Sequence, residues 1–122
     1  MGKLLFDEKN IEGSSIVANK KLAKLIGLNE AIVLQQVHYC LENNRMANKK
    51  YHEGRYWEDN SIRAWKESNF EFWSFETVKR TFAKLEKKGL LISANFNKQK
   101  LDKTKWYSIN EEELAKLQNH ID

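Results

Sequence analysis

Between positions 75 and 105 the chain sets nine cations, Lys79, Arg80, Lys84, Lys87, Lys88, Lys98, Lys100, Lys103 and Lys105, against three acids, Glu76, Glu86 and Asp102. This segment carries +6 in a chain whose net charge is only +4, so everything outside it sums to −2. Positive charge gathered into one stretch points to a surface for a polyanion. The residue types divide the work. Ser74, Glu76, Thr77 and Arg80 are short or planar polar groups of the kind that reach base edges from the start of a helix in a major groove. Lys79, Lys84, Lys98, Lys100, Lys103 and Lys105 suit phosphates, each neutralised phosphate adding about −0.9 to the log–log salt slope. Arg80 is the best candidate for a two-pronged contact to guanine, worth ~1–3 kcal/mol of discrimination. The bland alternatives are a solvated helix face and lysines that guard a hairpin edge against aggregation. Matching charge on two consecutive elements, with a deficit elsewhere, favours binding of double-stranded DNA.

Other chemistries find little support. Cys40 is the single cysteine, so neither a disulfide framework nor a cysteine metal cluster can be built. His38, His52 and His120 are scattered without a second ligand at metal spacing. Gly54 belongs to no phosphate-loop pattern, and there is no nucleophile–histidine–acid set or carboxylate pair. No enzyme activity, metal or cofactor is expected. Tyr56, Trp57, Trp65, Phe70, Phe72 and Trp73 could stack single-stranded bases, but their spacing around a turn and a short strand favours a hydrophobic core. Trp106 and Tyr107 must face opposite sides of a strand, one inward and one over the hairpin.

The elements that would position the cations can be read from local signals. At 122 residues, 41% hydrophobic and 31% charged, the chain is a single ordinary globular domain. No apolar run approaches the roughly 18 residues of a membrane span, and the N-terminus lacks a signal-peptide pattern; a cytoplasmic protein without membrane contact is expected. Residues 4–15 read as an arm, with Ser15, Ile16 and Val17 a short strand. Asn19 caps a helix over 20–26 that Gly27 ends. Asn29 caps the next, over 30–44, with Ile32, Val33, Val37, Cys40 and Leu41 at the spacing of a buried stripe. Residues 43–54 lack periodicity. Arg55, Tyr56 and Trp57 form a short strand, and Asn60 or Ser61 starts a helix ending near Asn69.

Ser74 caps the following helix, over 75–88, which Gly89 stops. Val78, Phe82 and Leu85 share its inner face, while Thr77, Arg80, Lys84 and Lys87 face away at about 100° per residue. A strand over 90–96, a turn over 97–102 and a strand over 103–109 make a hairpin whose tip spans 96–105. Asn110 and Glu113 then open a last helix to about Gln118. The expected fold is mainly α with a small antiparallel β-sheet (α+β), a winged helix-turn-helix with an extra N-terminal helix and arm. Residues 1–18 are the arm, 19–110 the DNA-binding domain, and 111–122 a C-terminal helix or linker.

Three blocks carry a family resemblance: VANKKLAKLIGLNEAIVLQQVHYCLENN, GRYWEDNSIRAWKESNFEFWSFETVKRTFAKLEKKGLL and KTKWYSIN. Over 16–110 the chain resembles phage and plasmid replication proteins whose N-terminal winged helix is similar to that of DnaD-like replisome organisers from low-GC Gram-positive bacteria. The run from Trp73 to Leu91 is the most specific part, and Cys40 departs from the aromatic residue expected there. The resemblance implies a replication-initiation role on origin repeats in double-stranded DNA, with the 75–88 helix in the major groove and the 96–105 wing on the backbone or minor groove. It also implies a further C-terminal module for single strands or helicase loading, towards which 111–122 would lead. Two other expectations stand beside this one. A homo-oligomer or a complex with replisome proteins would use Leu4, Leu5, Phe6 and the apolar second helix. A winged-helix transcriptional regulator would need an effector pocket, for which no residue set is evident.

Overall fold

The computed structural model describes residues 16–121. The expected arm and its Leu4, Leu5 and Phe6 lie outside them, and residues 16–19 form no strand. The described residues are mainly helical, with a small antiparallel sheet, as the sequence pattern requires.

Helix α1 (Lys20–Ile26) starts where Asn19 Oδ1 accepts the Leu22 N–H at 3.0 Å. Gly27 ends it at φ +106°, ψ 149°, backbone that only glycine adopts without strain. Helix α2 (Leu28–Met46) succeeds it without a gap. This corrects the start expected at Glu30: Asn29 lies inside the helix, and Gly27 takes the cap position, its carbonyl accepting the Ala31 N–H at 2.9 Å. The Glu30 carboxylate occupies the space a Cβ on Gly27 would need, in the first turn, where the helix dipole favours an anion. Ala31, Val33, Leu34 and Val37 are the fully buried face of α2, with Ile32, Cys40 and Leu41 on its half-buried margin.

Residues 47–59 are more ordered than their polarity implied. Strands β1 (Tyr51–His52) and β2 (Arg55–Tyr56) pair across a two-residue turn, Glu53–Gly54, with both turn residues at positive φ. Such mirror-image turns match the twist of a hairpin. Strand β3 (Glu58–Asp59) comes next, and Asn44 at the end of α2 donates to the Trp57 carbonyl at 2.7 Å. The expected strand over 55–57 therefore ends at Tyr56; Trp57 is buried and belongs to no strand, and the next sheet begins at Glu58.

Helix α3 (Ile62–Asn69) is capped by Ser61 and α4 (Phe75–Lys87) by Ser74, whose hydroxyls accept the Ala64 N–H at 3.1 Å and the Thr77 N–H at 3.2 Å. A tight aromatic turn joins them, with the Trp73 N–H bonded to the Phe70 carbonyl at 3.0 Å. Val78, Phe82 and Leu85 are buried as expected, joined by Thr81. Strands β4 (Leu91–Ala94) and β5 (Trp106–Ile109) then pair in the register Leu91↔Ile109 and Ala94↔Trp106, with β3 on the far side of β5, giving the order β3-β5-β4. Both hairpin strands are shorter than expected, so residues 95–105 form one long connection. Helix α5 (Glu111–Ile121) begins where Asn110 Oδ1 accepts the Glu113 N–H at 3.3 Å and outruns the stop expected near Gln118. The Glu113 side chain pairs with Lys116 instead of closing a capping box.

Among the described residues no helix is long and apolar enough to cross a membrane, and no cluster of potential metal ligands forms. Burial, and then the Glu58 charge, push the Cys40 thiol up to about 11. Thiolate is the reactive form, so at pH 8 the folded chain should react with a disulfide reagent at least about tenfold more slowly than the urea-unfolded chain; equal rates would contradict the burial. Gly27→Ala should lower stability by about 1–3 kcal/mol, through backbone strain and displacement of Glu30, read as a lower urea midpoint with an unchanged slope.

Candidate nucleic-acid interface

The ten candidate residues separate into groups once they are placed on the fold. Around α4, at about 100° per residue, Glu76, Arg80 and Lys87 lie opposite the buried stripe and point outward. All three are exposed. Lys79 and Glu86 lie on the flank towards β5, and Thr77 and Lys84 on the flank towards α2.

The outward strip keeps its functional groups free. Among the described residues Arg80 on this strip makes no ion pair, nor does Lys79 on the flank beside it, and Glu76 stands in the first turn, where the dipole favours it. Ser74 and Thr77 are less available than their types implied: the Ser74 hydroxyl donates to Thr77 Oγ1 at 3.0 Å while accepting the Thr77 N–H. They spend part of their hydrogen-bonding capacity on the cap. Lys84 reaches 3.6 Å from Glu30 at the head of α2, a carboxylate only 8% exposed. That contact draws Lys84 away from the 95–105 connection.

On the opposite flank the structure gathers what the sequence had kept apart. A cleft of about 530 Å³ runs between α4 and the 95–105 connection, lined by Lys79, Glu86, Lys103 and Lys105, with Asn60 and Ser61 at the head of α3. Ile62, Ala83 and Tyr107 add apolar surface to its wall. Lys105 also lies 3.4 Å from Glu86. Lys98 and Lys100 do not line this cleft; they sit exposed near the tip, beside Leu101, which is 91% exposed.

A side-chain latch, rather than strand pairing, holds the connection. Asn97 Nδ2 donates to the carbonyls of Asp102 at 3.0 Å and Thr104 at 2.8 Å, and its Oδ1 accepts the Trp106 indole N–H at 2.7 Å. The Thr104 N–H bonds to Asp102 at 3.0 Å and holds that carboxyl below the usual carboxylate range. The base is backed by aromatic rings: His52 of β1 stacks on Phe96 at 4.4 Å, and Trp106 meets both edge-on at 5.3 and 5.6 Å. Trp106 is thus the ring that covers the hairpin, and Tyr107 the one in the core.

Three contributors escaped the sequence reading. Arg63 on α3 lies over the Phe75 ring with its guanidinium carbon 5.0 Å from the centroid, which fixes a cation beside the start of α4. Its only sequence signal was a 12-residue separation from Phe75, which no helical period links. Asn60 and Ser61 at the cleft mouth read only as a helix start.

The aromatic platform is absent. Trp57, Trp65 and Phe70 are buried, and Phe72 is the one aromatic ring of the α3–α4 turn that is largely exposed.

No protein-family model, curated protein or solved structure matches this chain.

Asn97→Ala should release the latch, leaving the Trp106 indole and the Thr104 carbonyl short of partners at a cost of about 1–3 kcal/mol, while the Asp102 carbonyl keeps Asn95 Nδ2 at 3.2 Å. Amide exchange should quicken across 97–105 and stay slow in α4; uniform quickening would mean that the connection and the core open together.

Proposed function

We propose that this chain is a duplex-DNA-binding module of the winged-helix kind, acting in replication initiation. The observation that carries the reading is the cleft where Lys79 of α4 meets Lys103 and Lys105 of the connection. Two elements separated in sequence present phosphate-binding groups to one space, beside an outward strip bearing Arg80. With the β1–β2 hairpin set aside as an insertion, the order α2, β3, α3, α4, β4, β5, with β5 central in its sheet, supports the winged-helix assignment. In this reading α4 enters the major groove and the 95–105 connection is the wing on the backbone or minor groove. The replication role rests on the resemblance of the three sequence blocks, and origin repeats are the expected target.

A second reading has its own observation. Leu28, Tyr39 and Met46 lie along one face of α2 and are 60%, 60% and 78% exposed. They are spaced by eleven and seven residues, which returns to the same side of a helix. That face suits a second copy or a replisome protein, and it lies outside the cleft, so the two readings are compatible. Light scattering separates them: a monomer at high concentration that still binds DNA removes the self-association.

The binding reading is tested by titration of duplexes across salt. Affinity should fall steeply with salt, by about 0.9 log units per log unit for each phosphate held; flat affinity would refute DNA binding. Arg80→Ala should relax specificity, losing about 1–3 kcal/mol of discrimination, whereas Lys100→Ala should weaken all duplexes alike. Sequence-blind losses from both would refute base readout by Arg80.

A further inference from the structure

The lysine-lined cleft contains an acid at its centre. Glu86 lies on the same flank of α4 as Lys79, seven residues on, and is 27% exposed. Its carboxylate accepts from the Ser93 hydroxyl at 3.2 Å and lies 3.4 Å from Lys105 Nζ. The buried Tyr107 phenol is beside it, kept protonated first by burial and then by the Glu86 charge. Two elements, β4 and the connection, therefore direct a donor and a cation at one carboxylate. Lys103, by contrast, makes no ion pair among the described residues.

We propose that this cleft seats one sugar–phosphate strand of the duplex, and that Glu86 is a built-in counter-ion which Lys105 exchanges for a phosphate as the strand enters. The inference rests on the DNA-binding reading above. The cleft offers the two kinds of surface a backbone strand needs. Lys79, Lys103 and Ser61 can meet phosphate oxygens, and Ile62 and Ala83 can lie against deoxyribose carbons. The Lys105–Glu86 pair is half open to water, so separating it costs little. Entry of the strand costs more, because the freed carboxylate stays fixed by Ser93 and faces the incoming phosphate in a partly enclosed cleft. Glu86 thus withdraws most of one cation's contribution from backbone binding. Backbone binding ignores sequence, so this restraint raises the relative weight of contacts made by Arg80.

The test compares salt titrations of the full chain on a random-sequence duplex and on an unstructured single strand. Glu86→Gln keeps the acceptor for Ser93 and removes the charge. It should bind the random duplex roughly three- to tenfold more tightly at low salt, with a slope steeper by up to about 0.9. In the wild-type chain Lys103→Ala should flatten the slope by about 0.9 and Lys105→Ala by much less; in the Glu86→Gln background the two losses should become equal. Equal losses in the wild-type chain, or unchanged or weaker binding by Glu86→Gln, would overturn the exchange and leave Glu86 a support for Lys105. A larger gain on the single strand than on the duplex would overturn the seating of a duplex strand. Thermal melts of each variant report folding, and the Lys103 and Lys105 comparison stands even if Glu86→Gln unfolds. A wild-type chain that binds neither polymer overturns the DNA-binding reading itself, a result distinct from wild-type binding that Glu86→Gln leaves unchanged.

Discussion

The indole of Trp65 has no exposed surface and packs against Phe70, Phe82 and Tyr107, with ring centroids 6.4, 5.4 and 6.5 Å away. Those rings come from α3, the turn, α4 and β5, so one aromatic cluster sets the distance between the basic helix and the strand that ends the basic connection. Aromatic pairs of this geometry contribute about 0.5–1.5 kcal/mol each beyond their buried area. The surface ion pairs that bridge the same elements contribute about 0–1 kcal/mol. Apolar packing, not charge pairing, therefore holds the cations of α4 opposite those of the connection. The cluster is retained although the Trp65 indole N–H finds no hydrogen-bond partner among the described residues, a cost of about 1–3 kcal/mol.

How much of this was legible in the sequence depended on the range of the signal. Asn19, Ser74 and Asn110 were recognisable as caps, and Ser61 was so with Asn60 as its rival, because a cap acts across three residues, all adjacent in the chain. The stripe of Val78, Phe82 and Leu85 was equally local. The start of α2 was misjudged because Asn29 is a good cap by type, whereas Gly27 and the folded-back Glu30 cap by conformation. The β1–β2 hairpin was missed since Glu53–Gly54 lacks the asparagine or aspartate that usually marks such a turn. Hydrogen bonds from Arg55 to Ile109 and from Ser108 to Tyr56 tie it to β5, and such distant partners leave no local trace.

The candidate site shows the same division in electrostatic form. Sequence identified where cations accumulate, but not which of them arrive already matched. Glu30 lies 54 positions before Lys84, and Glu86 lies 19 before Lys105, so neither pairing follows any helical or strand period. Glu86 is already counted in the +6 of the 75–105 segment, but Glu30 is not, so that formal charge overstates the field by the share Glu30 offsets. The separation of the buried stripe of α4 from its polar face was legible from its period alone. Thr77 and Lys84, however, read as facing away with Arg80 and Lys87, lie on the flank towards α2, where Lys84 meets Glu30.

The Asn97 latch has a consequence for the loop tip. By binding the carbonyls of Asp102 and Thr104 and the Trp106 indole, one side chain closes the loop below its tip. Residues 98–101 lie beyond that closure and are all exposed, their one bond to the closed part being Asp102 N–H to the Gln99 carbonyl at 3.1 Å. Doubling the length of such a loop adds only about 0.6 kcal/mol of closure entropy. Four consecutive positions are thus released from the demands of folding, so that the tip can change in length or composition while the core beneath it keeps its packing.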